Sequence, residues 1–214
     1  MMIFRENEVV LFQGDSITDG GRGRGTTDPN HFIGHSFPYI LSAALSYQYM
    51  DRNPAFYSRG VSGDDALQMY ARWREDAINL KPTIISILIG VNDAHKWCRG
   101  CGSSPQQYRT ILKMTIEETK QALDGVRFIL CEPFYFPNNA DAFSQSVYEE
   151  ILVRQRIIRE LSKEYDCVFV PLQEELESYA EKLGDRRKIL WDGVHPTLLG
   201  HSIVSQKWLE VTGL

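Results

Sequence analysis

Residues 9–22 read VVLFQGDSITDGGR and place a hydroxyl group on a glycine-bounded turn directly after an apolar run. Residues 9–12 are rich in β-branched and aromatic side chains, which is typical of a strand buried on both faces. Gly14 has no Cβ and lets the backbone turn sharply. We therefore expect Ser16 at the carboxyl end of a strand, where open α/β sheets bind their ligands.

The composition is that of an ordinary soluble protein. With 214 residues the chain can bury a sizeable core, and no segment resembles a linker, so a single domain over residues 1–214 is predicted. Hydrophobic residues make up 43% and charged residues 24%, as in globular domains. The net charge of -5 argues against a nucleic acid or an anionic membrane as the partner.

The N-terminus and the cysteines favour the cytoplasm. Residues 1–8 contain two acidic side chains and no apolar core of a secretory signal, so a cytoplasmic location is expected for a complete chain. Four cysteines fit free thiols better than a disulfide framework. Cys98 and Cys101 form a CxxC motif that leaves a metal site, a redox pair or a plain loop open. The plain loop is favoured because no second ligand pair exists.

Strand and helix patterns alternate along the chain. Strands are predicted at residues 9–12, 55–58, 83–89, 126–131 and 167–170, and helices at 36–50, 65–80, 105–123, 142–165, 173–183 and 197–211. Asp64 is expected to cap the helix at 65–80. Because βαβ crossovers are right-handed, this order requires a parallel sheet between two layers of helices.

A serine nucleophile needs a base, and the base needs a carboxylate that fixes its tautomer. Among the five histidines, His195 lies in a loop with a carboxylate three residues away, Asp192, and directly before a proline. Pro196 favours an extended backbone at His195. Such a pair alone is more often a surface hydrogen bond. Together with Ser16 and other polar turns at strand ends, it is interpreted as base and orienting acid.

Acyl transfer also needs donors for a developing oxyanion. The backbone amides of Ser16 and Gly60 and the side-chain amide of Asn92 follow three successive predicted strands. Taken singly, Gly60 is an ordinary turn glycine and Asn92 a loop residue that bonds its own backbone. Their recurrence at successive strand ends favours an oxyanion hole.

These motifs resemble the four blocks of the SGNH hydrolase superfamily, also called GDSL esterases. The blocks lie at residues 14–17, 60, 90–93 and 192–196, in the family's order and over almost the whole chain. The resemblance implies that Ser16 is the nucleophile, His195 the base and Asp192 its orienting acid. It also implies a flavodoxin-like, three-layer α/β/α fold with about five parallel strands, no metal and no cofactor. Ser58 departs from the family, which often has asparagine there.

A narrower resemblance concerns the substrate. The longer motif GDSITDxGR and the segment ARWRED at residues 71–76 are similar to intracellular carbohydrate acetyl esterases, including xylan acetyl esterases. The resemblance implies hydrolysis of small acetylated sugars through an acetyl-enzyme on Ser16, and it is compatible with a homo-oligomer. Asp15 is a candidate substrate contact. Aromatic side chains in strand-end loops either stack on sugars or pack the loops: Trp97, Phe134, Tyr135 and Trp191.

Two other functions stay open at this stage. The same serine, histidine and aspartate would serve a lysophospholipase, thioesterase or arylesterase, although the loops lack the long apolar trough that a long acyl chain needs. A non-catalytic carbohydrate-binding module on an esterase fold is the second alternative.

Overall fold

Five parallel strands form one sheet in the computed structural model, which describes residues 2–25, 28 and 31–214. The strand order is β2-β1-β3-β4-β5, the order of flavodoxin-like sheets. The predicted parallel sheet is therefore confirmed. The strands are β1 (Val9–Gly14), β2 (Ala55–Ser58), β3 (Ile84–Leu88), β4 (Arg127–Cys131) and β5 (Val168–Val170).

Nine α-helices occur in the described part of the chain. The helices α2, α8 and α9 cover one face of the sheet, while α3, α4, α6 and the C-terminal half of α7 cover the other. The bounds are α1 (Ser16–Asp19), α2 (Phe37–Gln48), α3 (Ala66–Ala71), α4 (Trp73–Asp76), α5 (Val91–Cys98), α6 (Pro105–Ala122), α7 (Ala142–Glu164), α8 (Gln173–Leu183) and α9 (Leu198–Thr212).

Alternate residues of each strand enter the two apolar layers, as the two-residue repeat of a strand requires. On β1, Phe12 packs with Phe37 of α2 and Trp208 of α9, whereas Leu11 faces the other layer. All three aromatic side chains are at most 1% exposed. This burial on both faces explains the unbroken apolar run in the sequence and gives the strand ends a rigid base.

The chain between β2 and β3 differs from the expected single helix over 65–80. The helix begins one residue later, because Asp65 rather than Asp64 caps it: the Asp65 carboxylate accepts from the Gln68 amide, and Gln68 bonds back to the Asp65 amide. It breaks at Arg72 between α3 and α4 and continues as a short 3₁₀ helix, Ile78–Leu80.

A second difference lies after β3. Residues 91–98 form the helix α5, where the sequence favoured a loop through the CxxC motif. Val91, Asp93 and Ala94 are buried on its inner side. In the described residues, no helix combines the length and apolar character needed to cross a membrane.

Strand order places the candidate residues together. β1 lies between β2 and β3, and Gly14 pairs with Leu88 at the ends of β1 and β3. The strand order reverses at β1, since β2 is added on one side of it and β3 on the other, and the crevice outside such a switch point is the usual ligand site. Turns that follow β1, β2 and β3 therefore meet at one edge.

Candidate active site

Ser16, His195 and Asp192 form a continuous chain of hydrogen bonds. Ser16 Oγ lies 2.9 Å from His195 Nε2. On the other side of the ring, His195 Nδ1 lies 2.6 Å from Asp192 Oδ2. An ionised Asp192 only accepts, so Nδ1 carries the ring proton and Nε2 is free to accept from the serine hydroxyl.

The loop that carries His195 is held by its own backbone. Asp192 Oδ1 accepts from the amides of His195 at 2.7 Å and Val194 at 3.0 Å. The Trp191 amide donates to the His195 carbonyl at 3.1 Å. The sequence interval of three residues thus closes a tight turn in which one carboxylate binds both the backbone and the ring of His195.

Asp192 is electrostatically suited to stay ionised. Burial raises the pKa of its carboxyl group, but the hydrogen bonds from the His195 amide, the His195 ring and the Val194 amide outweigh burial. The net result is a pKa below the ordinary value of 3.8. The carboxylate is therefore available to a protonated imidazole throughout the neutral range.

Ser16 stands at the first position of α1. Asp15 caps this helix, because its Oδ1 accepts from the Ile17 amide at 2.9 Å. Gly14 lies so close to β3 that an added Cβ would be 2.2 Å from the Leu88 carbonyl oxygen. A side chain at this position would push β1 away from β3, so the glycine is required to bring Ser16 to the switch point.

Two backbone amides at this edge have no acceptor within the described part of the chain: those of Ser16 and Gly60. Asn92 Nδ2 donates one hydrogen bond to the Asp64 carbonyl at 2.9 Å. A primary amide has two N–H groups, so one remains for another acceptor. The three groups predicted as oxyanion donors therefore each retain a hydrogen to donate.

Gly60 packs directly on the backbone of α1. An added Cβ would lie 2.4 Å from the Asp19 amide nitrogen and 2.9 Å from the Asp15 carbonyl oxygen. No side chain fits at this contact. Behind Gly60, Ser58 Oγ donates to the Thr18 carbonyl at 3.3 Å, so the residue that departs from the family pattern still ties the turn to α1.

Asp19 is a site residue that the sequence interpretation missed. Its buried carboxylate accepts from the Ser62 amide at 2.9 Å, from Arg24 at 2.8 Å and from the Arg22 amide at 3.1 Å. Burial raises the pKa of Asp19, and these bonds outweigh burial and lower it overall. Asp19 thereby ties the loop after α1 to the turn around Gly60. The signal in the sequence was a lone carboxylate followed by two arginines among glycines.

The prediction that Asp15 contacts the substrate is wrong, because its side chain does not reach the surface. It is 1% exposed, and its carboxylate caps α1. Burial, and the nearby carboxylates of Asp93 and Asp64, raise its pKa to about 7. Burial likewise raises the pKa of Asp93 to about 7. Two carboxyl groups that hold protons near neutrality therefore lie under the site.

Asp15→Asn is expected to stabilise the protein at pH 8 and much less at pH 4. The pKa of Asp15 is higher in the folded state than in the unfolded state. The folded state therefore becomes less stable as pH rises from the unfolded-state pKa to the folded-state pKa. Asparagine keeps the capping oxygen without the charge. Its stabilisation of the protein at pH 8 therefore exceeds that at pH 4 by at most about 4 kcal/mol, because each pKa unit contributes about 1.4 kcal/mol. Urea unfolding of both proteins at the two pH values measures it. An equal difference at pH 4 and pH 8 would contradict the raised pKa.

The aromatic candidates separate into exposed and packed side chains. Trp191 is 60% exposed, and its ring stacks on His195 with centroids 5.8 Å apart. Trp97 on α5 is 40% exposed. Phe134 and Tyr135 are buried, and the Tyr135 hydroxyl bonds Ser144 Oγ at 2.7 Å. Stacking of Tyr135 on a sugar is therefore wrong, because its ring belongs to the core.

The CxxC cysteines lie at the end of α5 and just beyond it. Both thiols are free, with Cys98 half-buried and Cys101 exposed. Within the described residues, no group of three or more histidine, cysteine or acidic side chains is placed to hold a metal ion.

Comparisons with known proteins found similar chains in both sequence and structure. A curated acetylxylan esterase from Geobacillus stearothermophilus is 28% identical over 212 residues, which is 96% of this chain and 94% of that protein. Axe2, an acetylxylan esterase from the same organism, superposes with a TM-score of 0.85 at 28% identity, covering 100% of this chain and 97% of that one. Axe2 variants in which a serine or an aspartate is replaced by alanine are described as catalytic mutants.

The family itself is shown by two further findings. A crystal structure described as a GDSL-like lipase, from Parabacteroides merdae, matches with a TM-score of 0.92 at 33% identity, covering 99% of this chain and 98% of that one. The sequence profile of the GDSL-like lipase/acylhydrolase family matches residues 12–203. The chain belongs to this family and is a carboxylic ester hydrolase.

Proposed function

We propose that the protein removes O-acetyl groups from carbohydrates through an acetyl-enzyme on Ser16. The observation that carries the proposal is the unbroken hydrogen-bond chain from Ser16 through His195 to Asp192, next to amides that have no acceptor among the described residues. The similarity to acetylxylan esterases supports acetylated carbohydrates as the substrate class.

In the first half of the reaction, Ser16 Oγ attacks the acetyl carbonyl carbon while His195 Nε2 takes the hydroxyl proton. The carbonyl oxygen becomes an oxyanion within reach of the Ser16 and Gly60 amides and the free Asn92 N–H. The intermediate then collapses, and His195 gives its proton to the departing sugar oxygen. Ser16 is left as an acetyl ester.

In the second half, water attacks the acetyl carbon and His195 again acts as the base. A second oxyanion forms at the same donors, and its collapse returns the proton to Ser16 Oγ and releases acetate. The donors are backbone amides and a side chain already held by Asp64, so they need no reorganisation when charge develops. No step requires a metal or a cofactor.

Trp191 is the proposed platform for the sugar. One side of the indole packs on His195, and the ring borders a cavity of about 400 Å³ that Phe136, Pro137 and Arg186 also line. An exposed indole beside the base is placed to contact the alcohol that leaves from a sugar ester. Trp97, which is exposed on α5, is the second candidate.

The substrate proposal is tested by comparing acyl chains and alcohols. We expect acetate release from acetylated xylo-oligosaccharides and a higher kcat/KM for 4-nitrophenyl acetate than for 4-nitrophenyl octanoate. A strong preference for octanoate would overturn the acetyl substrate in favour of a lipase or thioesterase. Sugar binding without labelling of Ser16 by a fluorophosphonate would instead favour a non-catalytic module.

Variants at the two exposed tryptophans extend the same experiment. Trp191→Ala is expected to lower kcat/KM for the oligosaccharide more than for 4-nitrophenyl acetate, because only the sugar loses its platform. Trp97→Ala tests the second candidate, on α5, in the same way. Equal losses on both substrates for Trp191→Ala would show that the ring supports His195 and does not bind sugar.

A further inference from the structure

Arg72 lies in the break between α3 and α4, and its side chain is 19% exposed. The guanidinium turns towards the strand ends at the candidate active site. Five acceptors lie within hydrogen-bond distance of it: Asp64 Oδ2 at 2.8 Å from Nε, the Gly14 carbonyl at 3.4 Å from Nη2, and three that share the two N–H groups of Nη1, namely the Arg59 carbonyl at 2.7 Å, Asp76 Oδ2 at 2.9 Å and Gln13 Oε1 at 3.1 Å.

The bond to Arg59 acts on an oxyanion donor. The Arg59 carbonyl and the Gly60 N–H belong to the same peptide group, which is planar with its oxygen and hydrogen on opposite sides. Holding the oxygen therefore fixes the direction in which the N–H points. A charged donor on the carbonyl also polarises the peptide and strengthens the N–H as a donor. On the other side of Gly60, Arg22 Nε donates to its carbonyl at 2.8 Å, so a guanidinium flanks each peptide group of Gly60.

The bond to Asp64 acts on a second donor. Asp64 receives Arg72 Nε at its side chain, and its backbone carbonyl accepts from Asn92 Nδ2 at 2.9 Å. The position of Asp64 thus determines where the second N–H of Asn92 points. Arg72 forms ion pairs with both Asp64 and Asp76, whose side chains are only 12% and 23% exposed. Only a planar fork of several donors reaches all these acceptors at once.

We propose that Arg72 is a positioning residue for the oxyanion hole and holds two of its three donors, the Gly60 amide and the Asn92 side chain. It contacts the groups that hold these donors, the Arg59 carbonyl and Asp64, and does not contact the substrate. The inference rests on the proposed acyl transfer at Ser16.

Arg72→Met tests the proposal, because methionine keeps the apolar stem and removes the fork. We expect kcat for 4-nitrophenyl acetate to fall by about 10²-fold, comparable to the loss of one oxyanion donor, with KM nearly unchanged. The control is Arg74→Met, two residues along the same segment, where the side chain is 69% exposed and pairs with Glu118. Its kcat is expected to stay at the wild-type value.

Arg72→Lys is the second variant in case methionine prevents folding. A single ammonium keeps the charge but cannot hold Arg59 and Asp64 together, so kcat is again expected to fall. Circular dichroism and thermal unfolding establish that each variant is folded at the assay temperature. A folded Arg72 variant with wild-type kcat would overturn the proposal, even if its melting temperature is lower.

A double variant separates positioning from general damage. In an Asn92→Ala background one of the two positioned donors is already gone, so Arg72→Met is expected to lower kcat by a smaller factor than in the wild type. If the kcat of the double variant fell by the product of the two single-variant factors, the proposed link from Arg72 to Asn92 through Asp64 would be overturned. If the wild type itself hydrolyses no ester, the proposed function fails. If the wild type hydrolyses esters and Arg72→Met has the same kcat, only the inference on Arg72 fails.

Discussion

Ser16→Ala is expected to lower kcat for 4-nitrophenyl acetate by about 10⁶, the scale for removal of a serine nucleophile. The reason is that the variant has no atom to carry the acetyl group, while His195 and the oxyanion donors remain. The measurement is steady-state turnover at neutral pH, with residual activity checked against an empty-vector preparation.

The fold of this variant is expected to survive. The serine hydroxyl bonds His195 at the edge of the sheet, and one such hydrogen bond contributes only about 1 kcal/mol net. The exposed Ser46 of α2 provides a matched control, because Ser46→Ala makes the same chemical change away from the site. Turnover by Ser16→Ala within tenfold of the wild type would contradict the role of Ser16 as nucleophile.

The elements of the fold were predictable where burial is periodic. β2 at 55–58 and α8 at 173–183 have the predicted bounds, because the apolar repeat, the turn residues and the helix stop at Gly184 all agree there. The family resemblance also pointed to Ser16, Asp192 and His195, which the structure brings into contact, while their catalytic roles stay predictions. The domain count, the cytoplasmic location, the lack of a nucleic-acid partner and the oligomeric state stay predictions.

The failures share a different physical cause. Periodicity reports which face of a segment is buried, and it does not report where tertiary hydrogen bonds interrupt the backbone. Arg72 ends α3 while its acceptors come from β1, the Gly60 turn and α4, which only the folded sheet brings together. Tyr135 looked like an exposed loop aromatic because its partner Ser144 lies on α7, beyond the reach of a local pattern.

The same cause explains why the residues that support the candidate site were less visible in the sequence than its proposed reacting groups. Ser16 and His195 are recognised by their chemistry, whatever surrounds them. Asp19 and Arg72 instead contact backbone groups near the candidate site, and an acid or an arginine in a sequence usually indicates a solvated surface. Residues that hold preorganised amides in place are therefore hard to identify from the sequence, because they are of common types.

Asp192→Asn is expected to lower kcat near neutral pH by about 10⁴ without dismantling the loop. The asparagine oxygen keeps the bonds from the amides of Val194 and His195 that Asp192 Oδ1 accepts now. Its NH₂ group then faces His195 Nδ1 and donates to it. The ring proton moves to Nε2, so the ring no longer accepts from Ser16 and no carboxylate stabilises the imidazolium. Turnover of 4-nitrophenyl acetate by the two proteins measures this loss.

Stability distinguishes this electrostatic effect from a loss of structure. The folded-state pKa of Asp192 is lowered, so its contribution to stability is present above the ordinary carboxyl range and is lost as pH falls through the folded-state value. The stability advantage of the wild type over Asp192→Asn is therefore expected to shrink from pH 6 to pH 3 in urea unfolding.

Asp185→Asn is the control for turnover, because Asp185 accepts from the Arg187 amide in a similar turn and has no bond to His195. Its kcat is expected to equal that of the wild type, and a kcat of Asp192→Asn within tenfold of both would rule out Asp192 as the residue that orients the base.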